Sequence, residues 1–157
     1  MPAPLTVTTP NDTDVVVVRT FDAPRDLVWR AHTDPKLVKK WLLGPPGWTM
    51  PVCEIDLRVG GRYRYGWAHP QQQGFEMTGT YNEVKAPERI VHSEEFQGME
   101  ARITTLFAEK GGKTTMTMTM RFPSKAARDG AVATGMTDGM EQSYRKLDEM
   151  VAAKAVA

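Results

Sequence analysis

The chain has 157 residues, 41% of them hydrophobic, and a formal net charge of +1. That length suits one domain with a real core, and the near-neutral balance gives nucleic acid or an anionic membrane nothing to bind. A single cysteine, Cys53, excludes an internal disulfide and offers no metal-site spacing; with no apolar run of membrane-spanning length, a soluble, cytoplasmic protein is expected.

Residues 1–11, with three prolines and three threonines, are expected as a flexible leader, and residues 12–157 as the domain. Val15 to Val18 is a β-branched run and predicts a strand. Pro24 suits a first helical turn, and Leu27, Val28 and Ala31 supply an apolar stripe with Trp29 beside it. Asp34 and Pro35 repeat the device as cap and start, and Leu37, Val38 and Trp41 form the next stripe. Two short helices therefore follow one strand, until Gly44-Pro45-Pro46-Gly47 breaks the pattern.

From Met50 to Phe122 the hydrophobic period becomes two. Cys53, Ile55 and Leu57 alternate with Glu54, Asp56 and Arg58, and Gly60-Gly61 turns the chain. Tyr63, Tyr65 and Trp67 follow on one face. After a polar loop, Phe75, Met77, Gly79 and Tyr81 share a face opposite Glu76, Thr78 and Thr80. Strands over Ile90 to Phe96 and through Ile103 and Phe107 come next. Then Met116, Met118, Met120 and Phe122 alternate with Thr115, Thr117, Thr119 and Arg121. Alternation with short glycine- or proline-bearing connections predicts an antiparallel meander of about six strands, apolar on one side. The fold class is α+β.

Ser124 to Ala153 reads as one long amphipathic helix, N-capped by Ser124, with Val132, Met136, Met140, Ser143, Leu147, Met150 and Val151 on one face. Only this segment is long enough to cover the apolar side of the sheet. Gly130, Gly135 and Gly139 thin its first half. They either let the helix approach the sheet closely or border a space. Met136 and Met140, flexible fillers beside them, favour a space, in which case alanine at Gly135 or Gly139 has room and stabilises.

Little in the chain carries covalent chemistry. His32, His69 and His92 are scattered over a helix, a loop and a strand, so no metal and no cofactor are expected. Asp56 beside Gly60-Gly61 fits a turn in which the carboxylate accepts backbone amides. His69 and Glu76 make at most a pair across a solvated hairpin tip. His92 and Glu94 share a face with Ile90 and Phe96, and turned inward they would be polar anchors in an apolar pocket. No nucleophile elbow or phosphate-cradling loop is present.

Four stretches resemble one known family: Ala23 to Trp29 with Thr33-Asp34-Pro35 and Trp41; Gly44 to Met50; Asp56 to Tyr63; and Gly79-Thr80-Tyr81 with Pro87 to Ile90. With the terminal helix they cover nearly all the chain after the leader. It resembles the START-like (SRPBCC) helix-grip superfamily, in the branch named after the activator of heat-shock-protein ATPase and related to polyketide-cyclase-type proteins. The resemblance implies a single curved antiparallel sheet wrapped around the terminal helix, with a cavity between them. By position, its wall would be Tyr65, Trp67, Phe75, Met77, Met116, Met118 and Met120. Val132, Gly135, Met136, Gly139 and Met140 would form the helix side, with Trp41, Trp48 and Met50 at the entrance. The expected function is binding of a small apolar or aromatic molecule, lipid included, in that cavity. The alternatives are a cyclase- or hydrolase-type enzyme using the same cavity, or a co-chaperone-like module acting on a heat-shock-protein ATPase. Expected partners are the small ligand, a second copy in a homodimer, and, on the branch name alone, a chaperone.

Overall fold

The alternation between Met50 and Phe122 is carried by backbone strands in a computed structural model, which describes residues 2–154. Residue 1 of the expected leader and residues 155–157 of the expected domain lie outside the described residues. After β1 (Thr6–Thr8) and β2 (Asp14–Phe21) come helices α1 (Arg25–Thr33) and α2 (Pro35–Trp41). Six strands follow: β3 (Thr49–Ile55), β4 (Arg62–Ala68), β5 (Phe75–Lys85), β6 (Arg89–Phe96), β7 (Met99–Lys110) and β8 (Lys113–Arg121). Helices α3 (Lys125–Ala133) and α4 (Met136–Ala152) end the chain.

All neighbours pair antiparallel in one sheet of order β1-β2-β8-β7-β6-β5-β4-β3. Strands β3 to β8 are a plain meander. Strand β2 closes it from the far end by pairing along its whole length with β8, from Asp14 opposite Arg121 to Phe21 opposite Thr114. The segment expected as a loose leader contains β1, which pairs Thr6 to Thr8 with Val18 to Val16. Its approach is tied down further where the Leu5 amide donates to Glu141 at 2.9 Å. The first helices start near the expected residues, though Pro24 stands outside the helical turn it was expected to open. Pro24 has extended backbone and precedes α1, while the Asp34 carboxylate accepts the Lys36 amide and caps α2. Asp56 differs from expectation: its carboxylate pairs with Arg58 at 2.9 Å on the surface.

The terminal helix is two helices. Ser124 caps α3 by accepting the Ala127 amide at 3.1 Å. The run then stops at Gly135, whose φ of +79° lies in the left-handed region. Amides of Thr134 and Gly135 turn back to Ala131 and Val132, a glycine-dependent C-terminal stop. Helix α4 starts afresh at Met136 and buries Ser143, Tyr144 and Leu147 against the sheet.

Its hold on the sheet is partly ionic. On β2, Val15, Val17, Arg19 and Phe21 all point inward and are buried. Arg19, only 1% exposed, pairs with Glu141 at 3.0 Å and Asp148 at 2.8 Å on α4. Its guanidinium also lies over the rings of Phe21 and Tyr144, at 5.2 and 5.9 Å. Asp148 therefore lies on the face of α4 that packs on the sheet.

Removing one partner from such a buried group leaves uncompensated charge. Arg19→Met is expected to destabilise by about 3–5 kcal/mol in urea melts; a loss under about 1 kcal/mol would show that the ion cluster is incidental to α4 docking. The two glycines separate the roles assumed for them. Alanine at Gly135 is strained in the left-handed region and should cost about 1 kcal/mol. At Gly139 the nearest atom to an added Cβ is Cδ of Pro45 at 3.9 Å. Alanine there should stabilise by up to about 1 kcal/mol, read in the same melts.

Candidate functional site

Between the inner face of the sheet and α4 lies a cavity of about 270 Å³. Its chemistry follows from sheet register. Across β4, β5, β6 and β7, Tyr63, Gly79, Glu94 and Ala101 form one lateral row. Any Cβ on Gly79 would run into the Tyr63 ring and the Ser93 carbonyl. With hydrogen at position 79, Tyr63 lies across that strand and reaches β6. There its hydroxyl is 2.9 Å from Nδ1 of His92 and 3.4 Å from Oε1 of Glu94. A second row puts Tyr81 and Ile103 on either side of His92.

Aromatic rings pack round these groups. Tyr63 has its ring centroid 4.9 Å from Tyr65 and 5.5 Å from Tyr81. Trp41 and Trp67 complete part of the wall, with their indole N–H groups donated to backbone carbonyls of Ala31 and Leu42, both at 2.8 Å. What they leave to the cavity is ring carbon. Burial pushes the Tyr63, Tyr65 and Tyr81 phenols above their ordinary value, so all three stay protonated. Burial also holds His92 down to about 4 and pushes Glu94 up to about 7, with the Tyr63 hydrogen bond opposing the latter. Glu94 is half-buried by surface area because the cavity exposes it, yet protein encloses it on most sides.

His32 borders the cavity from α1. Its Nδ1 lies 2.7 Å from the Val28 carbonyl, which can only accept, so Nδ1 carries the proton. Its Nε2 lone pair is buried without a partner. The ring is held instead by edge contacts, 4.9 Å from Trp41 and 5.0 Å from Phe107, and burial lowers its pKa to about 4.

Of the residues expected at the site, Trp41, Tyr65, Trp67, Met77 and His92 line the cavity from α2 and the middle strands. Met118 and Met120 line it from β8, and Met136 and Met140 from α4. Seven lie outside that lining. Trp48 and Phe75 pack on each other at 5.2 Å near the loop, where Trp48 also meets His69. Met50 is buried within β3. Met116 is fully buried, and its sulfur accepts the Tyr144 hydroxyl at 3.5 Å. Val132 belongs to α3, Gly135 makes the helix break, and Gly139 faces Pro45.

Sequence reasoning missed Tyr63, at the centre of the polar end, and also His32, Tyr81, Thr105, Phe107 and Tyr144 among the lining residues. Tyr144 was readable, four residues beyond Met140 and eight beyond Met136 on one helix face. His69 and Glu76 make no pair: His69 accepts the Gln71 amide at 3.0 Å, and Glu76 binds Arg64 at 2.8 Å. Among the described residues no group of three or more His, Cys, Asp or Glu could hold a metal, and no helix is long and apolar enough to cross a membrane.

These shifts make stability depend on pH in two directions. His32 and His92, near 4 when folded against 6.5 in water, contribute stability that is whole above 6.5 and is lost as pH falls towards 4. Glu94, raised from 4.5 to about 7, contributes stability that is whole below 4.5 and is lost as pH rises to 7. Glu94→Gln removes the second effect alone. Its stability relative to wild type should improve by about 1–2 kcal/mol between pH 5 and pH 8, allowing for water in the cavity. Equal differences at both pH values in denaturant melts would contradict the enclosed carboxyl.

The fold and part of the chain's sequence match known proteins. The family of activator of Hsp90 ATPase homolog 1-like proteins matches residues 22–152. A protein from Rhodobacter sphaeroides of known crystal structure is 31% identical, with a TM-score of 0.89 over 95% of this chain and 98% of its own. One from Chromobacterium violaceum is 27% identical, with a TM-score of 0.74 over 90% of this chain and 97% of its own. An AHSA1-like protein from Aeromonas hydrophila, 24% identical, shares the fold with a TM-score of 0.72 over 90% of this chain and 95% of its own. No curated protein sequence matches. With the family match spanning most of its length, the chain belongs to the activator of Hsp90 ATPase homolog 1-like family, on the helix-grip fold.

Proposed function

We propose that the protein binds a small, largely apolar or aromatic molecule in the cavity between the sheet and α4. The supporting observation is a space of about 270 Å³ between sheet and helix, walled by tyrosine, tryptophan and methionine, with polar atoms gathered at Tyr63, His92 and Glu94. Binding sites for small molecules have this make-up, an apolar body that holds and a few polar groups that orient. Methionines at 77, 118, 136 and 140 line the space with adaptable side chains, which suits ligands of varied outline.

A second reading, an enzyme of cyclase or hydrolase type in the same cavity, draws support from one observation. Tyr63, His92 and Glu94 form a connected chain of proton-bearing groups, and a carboxyl near neutrality beside a neutral imidazole can move protons at pH 7. The chaperone-directed reading has less support. The exposed large apolar residues Val7, Val59 and Leu106 belong to β1, a turn and β7.

An apolar fluorescent probe should bind native protein and quench tryptophan emission through Trp41 and Trp67. Met140→Trp, placing a ring in the cavity, should weaken that binding about tenfold or more while the circular dichroism spectrum is kept. Gly139→Ala, on the Pro45 side, should leave binding unchanged. Undiminished binding in Met140→Trp would place the probe elsewhere and remove the support for this site.

A further inference from the structure

The groups at the polar end of the cavity differ from those of a site for anions. Among the described residues that line it, Glu94 is the one carboxyl, and none is lysine or arginine. Arg19, the cation buried beneath α4, is taken up by Glu141 and Asp148. A carboxylate or phosphate head in this cavity would meet no counter-charge and would face Glu94.

The hydrogen-bond chain specifies the rest. Tyr63 has one hydroxyl proton and two neighbours that can take it. With Glu94 ionised, the carboxylate takes that proton in a hydrogen bond, and Nδ1–H of His92 donates to the phenol oxygen. That arrangement leaves two acceptors without protein partners, the lone pair on Nε2 of His92 and the second oxygen of Glu94. Among the described residues the one sealed, unpartnered polar side-chain atom is Nε2 of His32, so both of these acceptors remain reachable. Around them stand the π-faces of Tyr63, Tyr65, Tyr81 and Trp67. Two acceptors, one of them charged, within a wall of aromatic faces match a group with several N–H donors and a positive charge.

Resting on the binding reading above, we infer that the ligand carries a protonated amine on an apolar or aromatic body, with its N–H groups donated to Glu94 and to Nε2 of His92. A neutral alcohol brings one donor and leaves the other acceptor unpaired. The titratable groups that share the cavity lining with Glu94 are Tyr63 and Tyr65 from β4, Tyr81 from β5, His92 beside it, and His32 and Tyr144 from α1 and α4, with Cys53 of β3 across from Tyr65. Strand β7 contributes none, its lining residues being Ile103, Thr105 and Phe107. None of these is a cation near neutral pH, so Glu94 is the group whose ionisation governs amine binding. As pH falls below about 7, Glu94 takes a proton and the amine loses its counter-charge.

Four probes of one body and different heads test this by calorimetry: ethylbenzene, 2-phenylethanol, 2-phenylethylamine and 3-phenylpropionate. At pH 8 the amine should bind wild-type protein about tenfold or more tighter than the alcohol, with the carboxylate weakest. The preference should shrink by pH 5.5. In Glu94→Gln the amine should fall to the level of the alcohol. Amine binding no tighter than the alcohol or carboxylate at pH 8, or a preference kept in Glu94→Gln, overturns the inference. Ethylbenzene binding without any amine preference sinks the inference and leaves the cavity reading standing. Absence of binding by all four sinks both. Should Glu94→Gln fail to fold, the wild-type series across pH decides alone.

Discussion

A fully buried arginine on β2 holds this architecture together. A guanidinium there is tolerable only while two carboxylates and two aromatic rings surround it, and both carboxylates come from α4. The ion cluster therefore sets the rotation and register of the helix on the sheet more narrowly than apolar contacts among methionines could. With α4 fixed at Glu141 and Asp148, the turns before and between them carry Met140 and Tyr144 to the cavity. The space beneath is the part of the interface that these side chains leave unfilled.

The polar end of the cavity depends on a missing side chain. Tyr63 can lie across β5 because position 79 is glycine, and Ala101 keeps the far side of Glu94 small. The result is an acid held among rings and hydrogen-bonded through a phenol to an imidazole. Its environment separates the behaviour of Glu94 from that of the surface carboxylates, which pair with arginine in water. Glu76 on the outer face of the sheet, bound to Arg64, has its carboxyl held below the ordinary value, while Glu94 on the inner face is pushed above it.

Much of the fold was legible in the sequence because alternation is a local signal. The six-strand meander, the two short helices and the caps at Asp34 and Ser124 all follow from residue type and spacing. The helix break was not, since a glycine in a helical pattern looks the same whether its φ is negative or positive. Strand β1 was missed because a three-residue edge strand among prolines has no period to read. At the site, parity put His92 and Glu94 on one face with Ile90, and the structure turns that face to the cavity. Arg19 shared that parity with Val15, Val17 and Phe21, and its charge alone argued against burial. Its partners lie more than 120 residues away, so no local pattern could reveal them. Phe75 and Met116 show the converse: apolar residues at sheet positions pack on their neighbours as readily as they line a space.

The pairing of β2 with β8 has a consequence for how the chain reaches this structure. During synthesis the first long strand leaves the ribosome with its partner still about a hundred residues away, so the sheet stays open along β2 until β8 has emerged. Arg19 meets Glu141 and Asp148 later still. Until α4 arrives, an inward-facing cation on a half-built sheet favours solvent over collapse onto the neighbouring valines. Assembly of the domain is thus weighted towards a late, concerted closure, and the interval before it is when the unpaired edge of β8 and the uncovered methionine face are open to other chains.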